Sequence, residues 1–232
     1  MMKKIIVRAG LLSLLLAPIF VWAVVTPNDP LFPQQWALTK IQAPLAWETT
    51  TGSSTVTIAI LDSGINPVAD LKDKIILNWN AYDNGSTTDV LGHGTMVASA
   101  VMASSNNGIG IASPCWGCRL HNVRISDVAA GGYGATISSG LTWAADHGAR
   151  VANVSYGLNY SDTVTDGAKY FMNKGGIVIM PAGNEGLLSL YASEKQFILI
   201  VGATTNTDQL ASFSNSGADI DLVAPGGRSS IG

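Results

Sequence analysis

Asp62 closes an apolar run, V-T-I-A-I-L-D, and is followed at once by Ser63 and Gly64. A carboxylate at the end of a buried segment is partly dehydrated, which is costly unless a partner stands beside it. The candidate partner is His93, held between Gly92 and Gly94 in L-G-H-G-T-M-V-A-S-A. Glycines on both sides leave the backbone beside the ring uncrowded. A carboxylate that fixes one imidazole nitrogen leaves the other free to take a proton from a nucleophile and hand it on, which is general acid–base chemistry. Taken singly, the Asp reads as a turn or cap residue and the His as a loop residue. Their joint context singles them out.

The elements that must position such a pair are legible as patterns. Residues 56–62 form a continuous β-branched run without alternation, as expected of a parallel strand covered on both faces. Similar runs occupy 119–125, 150–155, 176–181 and 197–203, and helical patterns lie at 93–103, 135–147 and 163–174. Strands alternating with helices of this length predict right-handed crossovers and an open, mostly parallel α/β sheet with helices on both faces, three layers in all. Residues 24–54 read as an extended lead-in, with prolines at 27, 30, 33 and 44 and a short helical piece at 43–50. In such a sheet the ligand site lies beyond the carboxyl ends of the strands. That selects residues 62–64, 155–157 and 182–184 for attention.

The chain has 232 residues, a formal charge of -3 and 12% charged residues, enough for one substantial core. Thirteen Lys and Arg against sixteen Asp and Glu, with no basic run past the first ten residues, leave no electrostatic footprint for nucleic acid. Residues 1–23 place Lys3, Lys4 and Arg8 ahead of an apolar stretch that is broken by Pro18 and ends at Val21, Trp22 and Ala23. That is the pattern of a bacterial export signal, shorter than the roughly 20 apolar residues of a spanning helix. Cleavage after Ala23, a single domain over 24–232, a secreted or periplasmic location and no stable membrane insertion are expected. The cysteines, Cys115 and Cys118, stand in S-P-C-W-G-C-R. In an exported chain they read as a structural disulfide, with a redox motif or a zinc site sharing His121 as alternatives.

Four ordered motifs, A-I-L-D-S-G, G-H-G-T, P-A-G-N-E-G and V-A-P-G-G, resemble the subtilisin family of serine proteases. The lead-in T-P-N-D-P with I-Q-A-P-L-A-W is similar to the thermitase branch, and the resemblance runs over residues 26–227. Subtilisin is the reference case for both the triad order and the oxyanion-hole asparagine, so those roles are borrowed from it. The resemblance implies a secreted, monomeric serine endopeptidase acting on peptides or proteins. Asp62 would orient the histidine, His93 would be general base and then acid, and Asn184 would donate to the oxyanion. Ser155, Tyr156 and Gly157 would bind an extended peptide by strand addition, with Ala182 and Gly183 on the floor of the same pocket. Asp29, Asp70 and Asn107 match the family's calcium site, and hard oxygens suit that ion. A weaker second site falls near Asp83 and Asp89.

Three departures from the family stand out. Met96 replaces a common second histidine. No propeptide lies between Ala23 and T-P-N-D-P. After V-A-P-G-G the family continues to a G-T-S-M-A segment that carries the nucleophile, whereas this sequence reads G-R-S-S-I-G. Ser229 and Ser230 lack the helix that a nucleophilic serine needs. The expectation is therefore a fold missing its C-terminal part, with the serine absent and the chain inactive and poorly folded by itself. A catalytically dead, secreted peptide-binding pseudoprotease is the alternative, and a C-x-x-C redox protein a third.

Overall fold

A computed structural model describes residues 24–127, 132–156, 162–189 and 197–227. The export signal expected at 1–23, Gly157, Ser229 and Ser230 lie outside the described residues.

Strand β1 (Thr57–Asp62) is buried at every position. Successive side chains of a strand point to opposite faces, so a strand covered on both has no polar alternation to show. Ala59 and Leu61 pack into one cluster with Ile137, Leu141, Ala144, Val164, Ala168 and Phe171. Ile58 and Ile60 pack into another, with Ala98, Met102 and Leu120. The first cluster is covered by α4 (Gly134–Asp146) and α5 (Asp162–Asn173), the second by α3 (His93–Met102). Two glycines bring the helical layer close. A Cβ on Gly140 would stand 3.0 Å from Leu61, and one on Gly167 would stand 2.7 Å from the Ser138 hydroxyl, where α5 meets α4.

The remaining strands are β2 (Ile75–Asn80), β3 (Arg119–Arg124), β4 (Val151–Val154), β5 (Ile177–Pro181), β6 (Leu188–Ser189), β7 (Ile198–Thr204), β8 (Ser216–Gly217) and β9 (Leu222–Pro225). Seven of the nine strands among the described residues form one sheet in the order β2-β3-β1-β4-β5-β7-β9. Its pairings are parallel throughout. β6 and β8 make a separate ribbon. Because the strands are parallel, the residues that follow β1, β3, β4 and β5 emerge at the same end. The register confirms it locally: Asp62 lies opposite Arg124, and Leu61 opposite Val154.

The lead-in is not extended. It folds into a 3₁₀ turn (Phe32–Gln34) and two short helices, α1 (Trp36–Lys40) and α2 (Ala43–Ala46). Leu38, Ala43, Trp47 and Ala112 form a small core of their own, and the Trp47 ring lies 4.7 Å from that of Trp116. Prolines 33 and 44 stand at first-turn positions of these helices, where a missing N–H costs nothing.

The α3 layer stops short. On its side of the sheet Ile177 is 38% exposed and Leu222 is 43% exposed, whereas Val178 and Ile200 on the opposite face are fully buried. The expected three-layer plan is thus complete over β1 and β3 and thin over β5, β7 and β9.

Among the buried titratable groups outside the site is His121. His121 on β3 is 1% exposed and meets Trp143 edge to face at 5.5 Å, and Trp143 in turn stacks on His147 at 4.2 Å. Its Nδ1 has no hydrogen-bond partner among the described residues. Burial, helped by the nearby His147, holds its pKa down to about 4. An unfolded chain takes up that proton near pH 6.5, so from there down to about pH 4 the unfolded state binds a proton that the folded state refuses. The contribution is complete above that window and is lost as pH falls through it. Urea unfolding at pH 7 and pH 4.5 will show a smaller acid loss for His121→Leu than for the parent, by on the order of 2 kcal/mol once solvent screening is allowed for.

Candidate active site

Asp62 has the same parity as Ile58 and Ile60, which turns its side chain toward α3. It is fully buried. Its Oδ1 accepts the Ser63 amide at 2.7 Å and stands 2.7 Å from Nδ1 of His93. Oδ2 has no partner among the described residues. Burial pushes this carboxyl above its usual range, although the bonds from His93 and Ser63 pull the other way. His93 opens α3, and its side chain is 47% exposed where that of Asp62 is 0%. One edge of the ring therefore reaches the core and the other faces the cleft. With the carboxylate as acceptor the ring proton sits on Nδ1, and Nε2 is left as an available base.

The approach depends on glycines. A Cβ on Gly94 would lie 2.1 Å from the Gly64 carbonyl oxygen and 3.1 Å from Oδ1 of Asp62, so only glycine lets the first turn of α3 come this near. Gly92 has φ 81, the left-handed region where other residues are strained.

The strand ends beyond the pair bring more residues to the same end. Ser155 is half-buried and its hydroxyl accepts from the Asn153 amide at 2.7 Å. The Tyr156 hydroxyl donates to Ser126 at 2.6 Å, and its ring stands edge-on to His93 at 6.2 Å. Burial raises the Tyr156 pKa, so this hydroxyl serves as a neutral donor. Ala182 is buried and bonded to Val201, while Gly183 takes φ 103 and Asn184 is exposed on the turn. Two strand spacings, about 10 Å, separate β5 from β1, and Asn184 lies on the turn that follows β5 at the same end of the sheet as Asp62. Sequence reasoning missed the residue that holds this turn. Asn215 donates to the Ala182 carbonyl at 3.0 Å and to Glu185 at 2.7 Å, and its own oxygen accepts the Leu187 amide at 2.9 Å. The signal available was F-S-N-S-G, a turn pattern with no hint of a distant client.

The proposed cation residues meet at one place. Asp29 is buried and accepts the amides of Asn106 and Asn107, and Asp70 accepts the Asn107 side-chain amide at 2.8 Å. Gly110 packs so closely on Asp70 that a Cβ there would collide with its carboxylate. Three segments bring these residues together, but the side-chain oxygens of Asp29, Asp70 and Asn107 all accept protein N–H groups, so a hard cation would have to take them over. Among the described residues there is no cluster of three or more His, Cys, Asp or Glu, so main-chain oxygens would have to complete the set. Near the second site Asp83 binds Asn80 and the Gly85 amide. Asp89 instead points into the start of α3, where five protein hydrogen bonds from Ser63, Leu91, Gly92 and Thr95 fill its oxygens. Cys115 and Cys118 are joined by a disulfide, with Cα atoms 5.5 Å apart. Gly117 is needed less for turning than for closeness, since a Cβ there would stand 2.7 Å from the Gly52 carbonyl oxygen.

A parallel α/β sheet with an Asp–His pair at the end of an interior strand defines a class, and the comparisons agree with it. The profile of the subtilase family matches residues 53–231, and the chain belongs to that family. It is 36% identical to thermitase of Thermoactinomyces vulgaris over 206 residues, 87% of this chain and 74% of the relative. It is also 36% identical to the thermophilic serine proteinase of a Bacillus species, of which it spans about half, 51%. Subtilisin Savinase of Lederbergia lenta is 35% identical over 195 residues, 82% of this chain and 71% of the relative. Among solved structures, a protease from Pseudoalteromonas arctica superposes with a TM-score of 0.80 at 28% identity, covering 89% of this chain and 74% of its own.

Replacing Gly94 with alanine will drive α3 off the strand end. The expected cost is about 1–3 kcal/mol in denaturant unfolding, the range for overpacking a filled site. Loss of a low-field Nδ1 proton signal from His93 in NMR spectra will accompany it.

Proposed function

We propose that the chain is the acid–base and substrate-binding part of an exported serine endopeptidase. The observation that carries this is the Asp62–His93 hydrogen bond at the carboxyl end of β1 in a subtilase sheet. Asp62 holds the imidazole in one tautomer and stabilises its cation. His93 takes the proton of a serine hydroxyl through Nε2 and delivers it to the leaving amine, so that no free proton is released between the two steps. Asn184 donates its side-chain N–H to the oxyanion, an interaction worth about 2.7–4 kcal/mol at the transition state. The backbone of residues 155–157 adds an extended peptide as a further strand, over a floor made by Ala182 and Gly183. Export follows from the first 23 residues, and no helix among the described residues is long and apolar enough to cross a membrane.

Nε2 of His93 has no hydroxyl hydrogen-bonded to it among the described residues. Turnover requires a serine hydroxyl placed at that nitrogen. A calcium ion held by Asp29, Asp70 and Asn107 would add charge balance to the loop that follows α3 and packs on the lead-in.

A chromogenic peptide assay on the purified chain will show binding without turnover. Turnover that disappears in His93→Ala would mean that the chain supplies its own nucleophile, and turnover indifferent to that change would remove His93 from the mechanism. In a serine-bearing form Asp62→Asn will lower kcat about 10⁴-fold. The genomic sequence beyond codon 232 separates the alternatives, since an in-frame G-T-S-M-A favours the protease and an immediate stop favours a peptide-binding pseudoprotease. Calcium will raise the Tm of the parent chain and leave that of Asp70→Ala unchanged.

A further inference from the structure

The N-cap position of helix α3 is Gly92, which has no side chain to cap it. The first amides of a helix have no intrahelical acceptor and must find one elsewhere. Here the Gly94 amide donates to the Ser63 hydroxyl at 3.0 Å and the Thr95 amide to Oδ2 of Asp89 at 2.8 Å. Both caps come from outside the helix.

Asp89 does more than cap. Its Oδ1 accepts the Ser63 hydroxyl at 2.7 Å, the Leu91 amide at 3.0 Å and the Gly92 amide at 2.8 Å. Its Oδ2 also accepts the Thr95 hydroxyl at 2.5 Å, and that hydroxyl accepts the Asn66 amide at 3.0 Å. Ser63 and Asn66 belong to the segment that leaves β1 directly after Asp62, whereas Gly92 and Thr95 flank His93. The Ser63 amide itself binds Oδ1 of Asp62. One carboxylate thus laces the chain carrying the acid to the chain carrying the base. A negative charge at a helix N-terminus is favourable. Burial pushes the Asp89 carboxyl up, but the bonds from Thr95, Ser63 and Leu91 outweigh it and hold the group below its usual range.

We propose that Asp89 is a positioning residue that fixes the start of α3 to the end of β1 and so sets the imidazole of His93 against the carboxylate of Asp62. The proposal rests on the acid–base reading of that pair and deepens it, for Asp89 does not touch the imidazole. An acceptor-only group is required, because every atom that faces Asp89 is a donor. Asparagine would turn an N–H toward one of them.

The test uses the full chain labelled with ¹⁵N-histidine and follows the low-field Nδ1 proton of His93, assigned by its loss in His93→Gln. In Asp89→Ala this proton will exchange with solvent roughly five- to tenfold faster, the factor expected when a helix cap is lost. Thr95→Val will reproduce part of the effect and Thr95→Ser will restore the parent rate. Phe171→Leu, a core change remote from the site, will lower the Tm without moving the resonance or its exchange, which separates positioning from general loss of stability. Should Asp89→Ala not fold, Ser63→Ala and Thr95→Val carry the same test. An unchanged exchange rate in the folded Asp89 or Thr95→Val variants overturns the proposal and leaves the Asp–His reading intact. A parent chain with no low-field Nδ1 proton overturns both.

Discussion

A carboxylate buried at the end of an apolar strand is the constraint to which the rest of the structure answers. Asp62 has no exposed surface and only one of its oxygens is bonded to protein among the described residues. Burial acts against its charge, and the imidazole of His93 with the Ser63 amide compensates in part. An ion held at such expense is poorly explained by stability, because an apolar residue would fill the position at lower cost. It is well explained by orientation, since a dehydrated acceptor grips an imidazole N–H more firmly than a solvated one.

That grip demands close approach, and close approach sets the local sequence. Gly94 is required because the Gly64 carbonyl occupies the space a side chain would take, and Gly92 because the chain turns through a left-handed conformation to enter the helix. A helix that starts with glycines loses the usual capping residue. Asp89 and Ser63 replace it from the side, and in doing so join the two segments whose relative placement matters. The same logic recurs across the sheet, where Gly183 turns the loop bearing Asn184 and Asn215 secures it from a distant segment. In both places a side chain far along the sequence supplies what a flexible turn cannot.

The sheet is covered unevenly. α4 and α5 seal one face from β1 to β7, whereas α3 seals only the part of the other face that lies over β1 and β3. Over β5, β7 and β9 a groove of about 260 Å³ runs between Ser155, Ile179, Pro181, Val201 and Ala224. Apolar residues bordering such a groove favour association with other protein surface. Ser155 ties the groove to the segment proposed to bind peptide, so the thin layer and the site adjoin.

β1, β3, β4, β5, β7 and helices α3 to α5 were legible in the sequence because a parallel strand buried on both faces is a continuous apolar run, and a helix between two such runs has nowhere else to pack. Asp62 and His93 were legible for a related reason, since a carboxylate ending an apolar strand and a histidine set between glycines both violate the bland pattern around them. The edge strands β2 and β9 were not. Each pairs on one side only, so I-I-L-N-W-N and L-V-A-P carry exposed positions and polar residues that read as loop. In the lead-in the helical piece at 43–46 was legible, whereas the turn at 32–34 and helix α1 were hidden in a stretch that its prolines made read as extended. Sequence pattern settled which residues lie in the core and which depart from it. Tertiary structure alone decided the strand order, the open face and the tasks of Asp89 and Asn215, because each of these depends on contacts between segments far apart in the chain, and periodicity reports only on neighbours.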